Sequence, residues 1–438
     1  MANYVKIGAK ICSVLSKPAA IPVTRKAAAK SVQRLVGSHI DLIRQTTKLS
    51  AKRSTQIYSY LSRTAQENFG DLLSAGKRIG YIQVDKNGKI LSQSLERFLT
   101  VFDRGSYDKM IYLEQNFKGL DKASFTKLLN TYKTPQKMAE NKHNIQRWIK
   151  LKDELRAYSK TIAEEGKAQV DQAFKDIQEI FGVTPKARSK DAESVFDKLS
   201  RKVLKGSDIS SIEAAKAEVG DLVGTRIILD DISEAGIQKV VDNICKGIES
   251  GKIKIKNIEN YTKSSRPYFT PAQCDQIQQS AARKGYEMAS MKHSKPSKSG
   301  YVTAQMDVVY SNGARGELQI RGELMHRYCE IEHIPYDIRQ GKNIGKNIPE
   351  LEQFYKPVED AVTTLKRKGL DKIYDDYILS CYRYIRKYER GKIKGQFKLP
   401  QFPGSLHGYE ILRFENLEKI HTRAKEIKTA AESLAIAA

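Results

Sequence analysis

An alternation of strand-like and helix-like patterns between residues 151 and 340 constrains the fold of this chain more than any other feature. Short runs rich in Ile, Val and Tyr read as strands, and apolar residues at helical spacing read as helices. The strands are predicted at residues 222–229, 252–258, 301–310 and 316–321, and the helices at 151–181, 235–248 and 323–333. This order predicts an α+β fold, with one mixed sheet and helices on its faces. Pro335 should end or kink the last of these helices.

The patterns on either side divide the chain into three parts. Residues 1–150 show mostly helical spacing, interrupted by a predicted hairpin at residues 81–91 around Asn87-Gly88. Residues after 340 are again helical in pattern. We therefore predict a basic, mostly helical N-terminal region (1–150), a sheet domain (151–340) and a helical C-terminal extension (341–438).

Positive charge is concentrated in the first of these parts. The whole chain has 76 Lys and Arg against 51 Asp and Glu, a net charge of +25, and residues 1–150 hold 27 basic and 10 acidic residues. Such an excess favours an anionic partner such as RNA, the ribosome or acidic lipid, and a solvated basic surface is the alternative. The first 40 residues have no acidic side chain, so we expect a flexible basic arm there.

Composition excludes two classes of protein. No run approaches the roughly 18 consecutive apolar residues that a membrane-spanning helix needs. The five cysteines lie far apart without a CxxC pair, which excludes a disulfide scaffold and a zinc ribbon. We expect a cytoplasmic protein, or an exported effector or toxin that acts in a cytosol.

Several catalytic motifs are absent from the sequence: it has no Gly-x4-Gly-Lys-Ser/Thr phosphate loop, no HExxH and no Gly-x-Ser-x-Gly. His326, Cys329 and His333 are spaced to share a helix face, where they could bind a metal or carry thiol chemistry. No second pair of ligands accompanies them, so a buried structural face is the favoured interpretation.

A row of basic and hydroxyl residues begins at Arg188. Lys190, Ser194 and Lys198 recur every four residues, which on a helix places them on one face about one turn apart. Two ammonium groups and a hydroxyl in a row can follow a chain of phosphates, and Arg188 at the helix start would add to its positive end. Surface decoration is the alternative, because a basic chain forms such rows easily.

Two carboxylates lie at predicted strand ends. Asp221 precedes the strand that carries Arg226, and Glu317 opens the strand GELQIR. Carboxylates from neighbouring strands suit Mg²⁺, which prefers hard oxygen ligands and completes its octahedron with water and substrate phosphates. The alternative is that Asp221 caps a turn and Glu317 is solvated.

A basic loop that contains glycine, Lys295-Pro-Ser-Lys298-Ser-Gly300-Tyr301, leads into the third strand. The loop offers positive charge for phosphate and an aromatic ring for base stacking. An ordinary basic loop is the alternative.

In their order along the chain, these segments resemble the synthetase domain of the RelA/SpoT alarmone synthetases, small single-domain members included. The family pattern Arg-x-Lys-x3-Ser-x3-Lys corresponds to residues 188–198, Asp-x2-Gly/Ala-x-Arg-Ile to 221–227, Lys-x-Gly-Tyr to 298–301 and Glu-x-Gln-Ile-Arg to 317–321. Ile331-Glu332-His333 and Tyr336 are similar to the next helix of the small synthetases. The resemblance covers about residues 180–340 and implies a nucleotidyltransferase-like mixed sheet flanked by helices.

The resemblance also implies a reaction and a set of roles. The β,γ-pyrophosphate of ATP would move to the ribose 3′-hydroxyl of GDP or GTP, with release of AMP. Asp221 and Glu317 would bind Mg²⁺, and Glu317 would help to deprotonate the acceptor hydroxyl. ATP would be bound by Arg188, Lys190, Ser194, Lys198 and Arg226, with the two arginines on the adenine. The acceptor would be bound by Tyr301, stacked on its base, and by Lys295, Lys298, Gln305, Gln319 and Arg321.

The chain departs from the family pattern mainly on the acceptor side. Thr303 and Gln305 stand where Ser-x-His is usual, Gly322 stands where Thr is common, and an insert at residues 261–291 precedes the Gly-Tyr loop. Two alternatives therefore stay open. One is a toxic synthetase that makes adenosine alarmones or pyrophosphorylates the tRNA 3′ end, and the other is a catalytically degenerate protein that binds nucleotide or RNA. No His-Asp dyad like that of the family's hydrolase domain is found, so we predict synthesis without hydrolysis.

Overall fold

The computed structural model describes residues 22–262, 267–296, 301–339, 344–345 and 348–437. The chain divides into two compact units, Met1–Met138 and Ala139–Ala438. The division into three parts drawn from the sequence stays a prediction. No helix in the described part of the chain has the length and apolar character needed to cross a bilayer.

The first unit is helical. Its helices are α1 (Pro22–Thr47), α2 (Ala51–Tyr60), α3 (Arg63–Glu67), α4 (Phe69–Arg78), α5 (Ser92–Val101), α6 (Arg104–Asn116) and α7 (Lys122–Thr131), and α8 (Pro135–Glu140) follows them. Side chains of Ser50, Asp103 and Asp121 cap the helices that follow them by accepting a backbone N–H of the first turn. The predicted hairpin is present only as one antiparallel bridge, between Val84 and Ile90.

The second unit combines a sheet with helices. Its strands are β1 (Lys186–Ser189), β2 (Val223–Leu229), β3 (Ile253–Thr262), β4 (Ser290–Pro296), β5 (Thr303–Tyr310) and β6 (Arg315–Gly322). Its helices are α9 (Lys142–Phe181), α10 (Ala192–Leu204), α11 (Ile212–Glu218), α12 (Glu234–Glu249), α13 (Pro271–Arg283), α14 (Glu323–Arg339), α15 (Pro349–Arg367), α16 (Asp371–Glu389) and α17 (Phe414–Ala437). The predicted fold class, an α+β fold with a mixed sheet flanked by helices, is confirmed.

The six strands form one sheet in the order β1-β2-β6-β5-β3-β4. β2 runs parallel to β6 and β3 runs parallel to β4, whereas the other neighbours are antiparallel. In the parallel pair, Val223 lies opposite Gly316 and Gly224 lies opposite Glu317. Because both strands begin at the same edge of the sheet, the segment that carries Asp221 and the start of β6 come to the same end.

One face of the sheet forms the core with helices α9 and α12. Alternate residues of the central strands are buried on this side. The buried set includes Val223, Met306 and Leu318 of the sheet with Ile177 of α9 and Ile244 of α12. Truncating one of the Ile, Leu or Met side chains to Ala costs about 2–5 kcal/mol of stability. The intervening strand residues face the other side, which we call the open face, and they carry the polar side chains of the candidate site.

The predicted helix start at Arg188 is wrong. Arg188 lies in β1, because residues 186–189 pair with β2 and take extended backbone. Helix α10 begins at Ala192, and the side chain of Asp191 caps it by accepting the N–H of Ser194 at 2.7 Å. Lys190 therefore precedes the helix that carries Lys198.

Of the two expectations for Pro335, that it ends or kinks its helix, the first is wrong, since α14 continues to Arg339. Arg339 forms ion pairs with Glu332 on its own helix and with Asp375 on α16. These contacts hold the turn that follows the proline.

The helices after residue 340 share their core with the sheet. Tyr374, Tyr382 and Phe414 belong to the same buried apolar cluster as the strands. Glu389, near the end of α16, accepts the backbone N–H of Met325 at 2.9 Å and so caps the first turn of α14. Its carboxylate occupies the space that a Cβ at Gly322 would need. This contact ties α16 to the junction between β6 and α14.

Candidate functional site

Two lysines and one carboxylate, which we call the Asp221 cluster (Lys190, Lys198 and Asp221), meet just before β2. Lys198 Nζ donates to Asp221 Oδ1 at 2.6 Å. Lys190 Nζ bonds to the other carboxylate oxygen and to the Asp221 carbonyl. Burial would raise the pKa of Asp221, but the two lysines outweigh it and lower the pKa to about 2. The cluster thus holds an ionised carboxylate beside two ammonium groups, and Ser194 lies in the first turn of the helix between those lysines.

Glu317 lies on the open face at the centre of the sheet. It pairs in register with Gly224 on one side and with Asp307 on the other. Burial raises its pKa, the hydrogen bond from Gln319 opposes that rise, and the negative charge of Asp221 adds to it. A carboxylate with a raised pKa takes up a proton more readily, which suits a general base.

Arg226 is joined to Glu317 by a chain of hydrogen bonds. Arg226 Nη1 donates to Glu330 Oε1 at 2.8 Å, and Arg226 Nε donates to Gln319 Oε1 at 3.1 Å. Gln319 Nε2 in turn donates to Glu317 Oε1 at 2.9 Å. The charge of Arg188 helps to lower the pKa of Arg226, after burial and Arg321. The two arginines that the resemblance assigned to adenine are therefore close enough to interact.

His326 lies in this network as a neutral side chain. Its ring nitrogens lie 2.9 Å from Lys186 Nζ and 3.1 Å from Arg226 Nη1. Burial, followed by these two positive charges, lowers the pKa of His326 to about 4. Cys329 of the same predicted face is buried in the core, and His333 is half-exposed. Within the described residues no group of three or more His, Cys, Asp and Glu is arranged to hold a metal ion.

Tyr301 stands at the other end of the open face. The guanidinium carbon of Arg321 lies 5.0 Å from the centre of its ring, and Arg321 Nη2 donates to the Tyr301 hydroxyl at 3.2 Å. The ring of Tyr261 lies 6.1 Å away. Arg321 is only 2% exposed, so its guanidinium is buried against the ring.

Glu259, which the sequence did not single out, lies beside this aromatic pair. It is in register with Gln305 on β5 and accepts hydrogen bonds from the Tyr261 hydroxyl at 2.7 Å and from Lys292 Nζ at 2.9 Å. Of the predicted acceptor residues, Lys298 lies outside the described residues. The backbone of Lys295 pairs with Tyr261 in the sheet, and its side chain is outside the described part.

A cavity of about 440 Å³ lies next to the Asp221 cluster and is lined by residues of β3, β5 and the start of β6. Its lining includes Lys198, Asp221 and Gln305, all of which the sequence predicted. Its lining also includes Lys256, Asp307 and Arg315, which the sequence reasoning missed. Asp307 could have been found, because the alternation of β5 places it on the same face as Gln305. Lys256 of β3 and Arg315 of β6 come next to it only through the pairing of the strands, which the sequence does not show.

Residues 187–339 match the family model described as a region found in RelA / SpoT proteins. This part of the chain is a RelA/SpoT-type synthetase domain. The match supports a (p)ppGpp-synthetase-like pyrophosphokinase family for these residues. The matched region runs from β1 to the end of α14 and includes the Asp221 cluster, Glu317 and Tyr301. None of the curated proteins compared with the chain matches it.

The donor set of the RelA/SpoT-type domain fits a magnesium ion. Asp221 and Glu317 offer carboxylate oxygens close enough for the charge of one to raise the pKa of the other. Mg²⁺ is commonly held by one or two carboxylates and completed by substrate phosphates and water, so a third protein ligand is not required. The assignment of both residues to the metal stays a prediction.

Proposed function

We propose that this chain is an ATP-dependent pyrophosphokinase that transfers the β,γ-pyrophosphate of ATP to the ribose 3′-hydroxyl of GDP or GTP. The observation that carries the proposal is the convergence of the Asp221 cluster and Glu317 on one face of one sheet. Transfer of a phosphoryl-type group requires mainly positioning and neutralisation of charge, and this arrangement offers cations, carboxylates and a candidate base together.

The contacts support the proposed roles. Lys190, Lys198 and Ser194 would bind the ATP phosphates, while Arg188 and Arg226 offer guanidinium groups to the adenine. Mg²⁺, when bound by Asp221 and Glu317, would neutralise charge on the phosphates. Tyr301 would stack on the acceptor base, with Arg321, Gln305 and Gln319 around it.

The reaction exchanges one bond for another. The 3′-oxygen of the acceptor forms a bond to the β-phosphorus of ATP, and the bond from that phosphorus to the oxygen bridging the α-phosphate breaks. AMP leaves with the bridging oxygen, and the hydroxyl proton passes to Glu317. The raised pKa of Glu317 supports this last step.

A labelling experiment tests the proposal. Purified protein is incubated with γ-labelled ATP and Mg²⁺, and separately with GDP, GTP, ATP or total tRNA as acceptor. Label in a guanosine product, with an equal amount of AMP released, is the expected result. Retained nucleotide binding with no transfer to any acceptor would overturn it and would favour a degenerate nucleotide-binding protein.

A second candidate is a toxic synthetase that acts on the 3′ end of tRNA or on adenosine nucleotides. The charge of the first unit favours RNA, because residues 1–138 hold 24 Lys and Arg against 9 Asp and Glu. Label in the RNA fraction or in an adenosine product of the same assay would select this candidate. In either case we propose that the protein acts in a cytosol, where ATP and the acceptors occur together.

A further inference from the structure

Helix α16 reaches the end of β6 through a buried arginine and a buried tyrosine. The guanidinium carbon of Arg386 lies 4.0 Å from the centre of the Tyr268 ring, and the two residues are only 2% and 3% exposed. The Tyr268 hydroxyl accepts the backbone N–H of Gly322, the last residue of β6, at 2.7 Å. A desolvated guanidinium over an aromatic face is among the stronger cation–π contacts. Helix α16 therefore holds the end of β6 by way of Tyr268.

The segment that carries Tyr268 is itself fixed on both sides. Arg390 Nη2 donates to the carbonyl of Pro267 at 3.3 Å. On the other side, the buried Asn260 of β3 donates to the carbonyl of Phe269 at 3.2 Å and accepts its backbone N–H at 3.4 Å. The Tyr268 hydroxyl is therefore presented to β6 from a rigid position.

Gly322 directly follows the residue that contacts Tyr301. Arg321 lies against the Tyr301 ring and bonds to its hydroxyl. Within the described residues, Nε and Nη1 of Arg321 have no hydrogen-bond partner. The place of its guanidinium consequently depends on the backbone of β6, which Tyr268 fixes one residue further on. Binding groups need such support from neighbours to keep a productive geometry.

These supports come from parts of the chain that depart from the family pattern or lie beyond it. Arg386 follows the matched region 187–339, and Tyr268 lies in the insert at residues 261–291. Gly322 stands where Thr is common in the family, and the carboxylate of Glu389 occupies the space of that side chain. The C-terminal extension and the insert thus meet at the end of β6 that carries Arg321.

We propose that Arg386 and Tyr268 are positioning residues for the acceptor base, which they serve by holding the end of β6. They act through Gly322 and Arg321 on the ring of Tyr301. The inference rests on the proposed function, because that function stacks the acceptor base on this ring. It gives the C-terminal extension a part in acceptor binding, although none of its residues touches the acceptor.

The decisive variant is Tyr268→Phe, which deletes one oxygen atom. The ring and its contact with Arg386 remain, and only the acceptor of the Gly322 N–H is lost. We expect KM for GDP to rise roughly threefold to tenfold, as for one lost hydrogen bond, with KM for ATP unchanged. Initial rates with each substrate varied in turn measure both constants, and the thermal midpoint measures the cost in stability.

Tyr374→Phe is the matched control on the same helix. Tyr374 is also a buried tyrosine under a guanidinium, that of Arg339 at 5.7 Å, and its hydroxyl donates to the carbonyl of Leu412 at 3.3 Å. This variant loses a buried hydrogen bond of the same kind that does not involve β6. We expect a similar loss of thermal midpoint with both KM values at the wild-type level.

Arg386→Met and Arg386→Lys test the arginine. Methionine keeps much of the volume but removes the charge over the Tyr268 ring, so KM for GDP should rise as in Tyr268→Phe. Lysine retains a cation and should restore part of the loss. If Arg386→Met does not fold, Arg386→Lys and Tyr268→Phe decide the matter. A Tyr268→Phe variant with wild-type KM for GDP, or with equal rises in KM for GDP and ATP, overturns the proposal.

Calorimetric binding of GDP without ATP separates this inference from the proposed function. If another acceptor is labelled in the transfer assay, that acceptor takes the place of GDP. Weaker binding by Tyr268→Phe than by Tyr374→Phe, in a protein that transfers nothing, fails the proposed function and retains this inference. Equal binding by the wild type and Tyr268→Phe overturns the inference even if transfer occurs. A wild type that binds none of the acceptors overturns both.

Discussion

The two ends of the open face are built differently. At the proposed donor end, the Asp221 cluster consists of residues from two short motifs, and its one carboxylate pairs with two lysines. At the acceptor end, Tyr301 lies against Arg321 and Tyr261, and Glu259 and Lys292 come from strands on the far side of β5. The residues of the proposed donor end are therefore close in sequence and bond to one another. The proposed acceptor end depends on the pairing of strands that are distant in sequence. The departures from the family pattern lie at this second end, at Thr303, Gln305 and Gly322.

The largest effect is expected for Glu317→Gln, because Glu317 lies between the two ends. Loss of a general base lowers kcat by roughly 10²–10⁴-fold. Initial rates with saturating ATP and GDP measure this loss, and the thermal midpoint checks that the variant is folded. Normal turnover would remove Glu317 from the mechanism.

The same residue should set the acid limb of the pH profile. A carboxylate whose pKa is raised becomes protonated as the pH falls through that pKa, and a protonated Glu317 cannot accept the hydroxyl proton. Asp221, with a pKa of about 2, stays ionised throughout this range. As the pH decreases, we expect kcat/KM to begin to fall at a pH above the usual pKa of a glutamate. The residual activity of Glu317→Gln should lack this acid limb. A limb that persists in the variant would belong to another group.

Asp221→Asn tests the donor end alone. The substitution removes the charge that Lys190 and Lys198 share, and we expect kcat to fall by about 10²–10³-fold, as for other losses of electrostatic stabilisation. Glu218→Gln is the control, because Glu218 pairs with Lys202 at 2.6 Å and does not line the cavity. Equal losses in both variants would indicate a general effect of charge rather than a donor site.

Tyr301→Ala tests the acceptor end alone. Stacking of a base on an aromatic ring contributes about 1–3 kcal/mol, so KM for the acceptor should rise by roughly 5–150-fold. Tyr301→Phe keeps the ring and loses only the hydrogen bonds of the hydroxyl with Arg321 and Thr303, so it should remain close to wild type. Binding of ATP should be unaffected, and its loss in Tyr301→Ala would mean that the ring is structural.

Removal of residues 1–138 should have the smallest effect on free nucleotides. The cut falls at the boundary of the compact units and leaves α9, which begins at Lys142, intact. We expect kcat/KM for GDP to be nearly unchanged if this unit serves to recruit an RNA, and binding to tRNA to weaken. Loss of all nucleotide chemistry, with the remaining unit still folded, would make the first unit part of the catalytic machinery.

Most of the fold could be predicted, and the exceptions have physical causes. Strands β2, β5 and β6 are apolar or alternate, so their pattern is visible in the sequence. Strand β1 has the short polar sequence KARS, and it becomes a strand only because β2 offers its edge. Long-range pairing of that kind leaves no local pattern to read.

The candidate site was predictable where its residues lie in contiguous motifs. Lys190 and Lys198 do meet at Asp221, although Lys190 is not on the helix that the four-residue spacing suggested. Lys256 and Arg315 lack such a signal, because a bulge and a hairpin turn place them in the cavity. These features depend on tertiary structure, and no motif marks them.

The carboxylate of Glu389 has a consequence for how chains of this kind can be shortened. Glu389 lies far along the chain from α14, yet its carboxylate accepts a backbone N–H of the first turn of that helix. The carboxylate occupies the space that a side chain at position 322 would fill. A stop codon anywhere before position 389 would open that turn beneath Arg226 and its neighbours. A related chain that ends before position 389 would need a side-chain hydroxyl or carboxylate at position 322 to cap α14. We therefore expect positions 322 and 389 to change together.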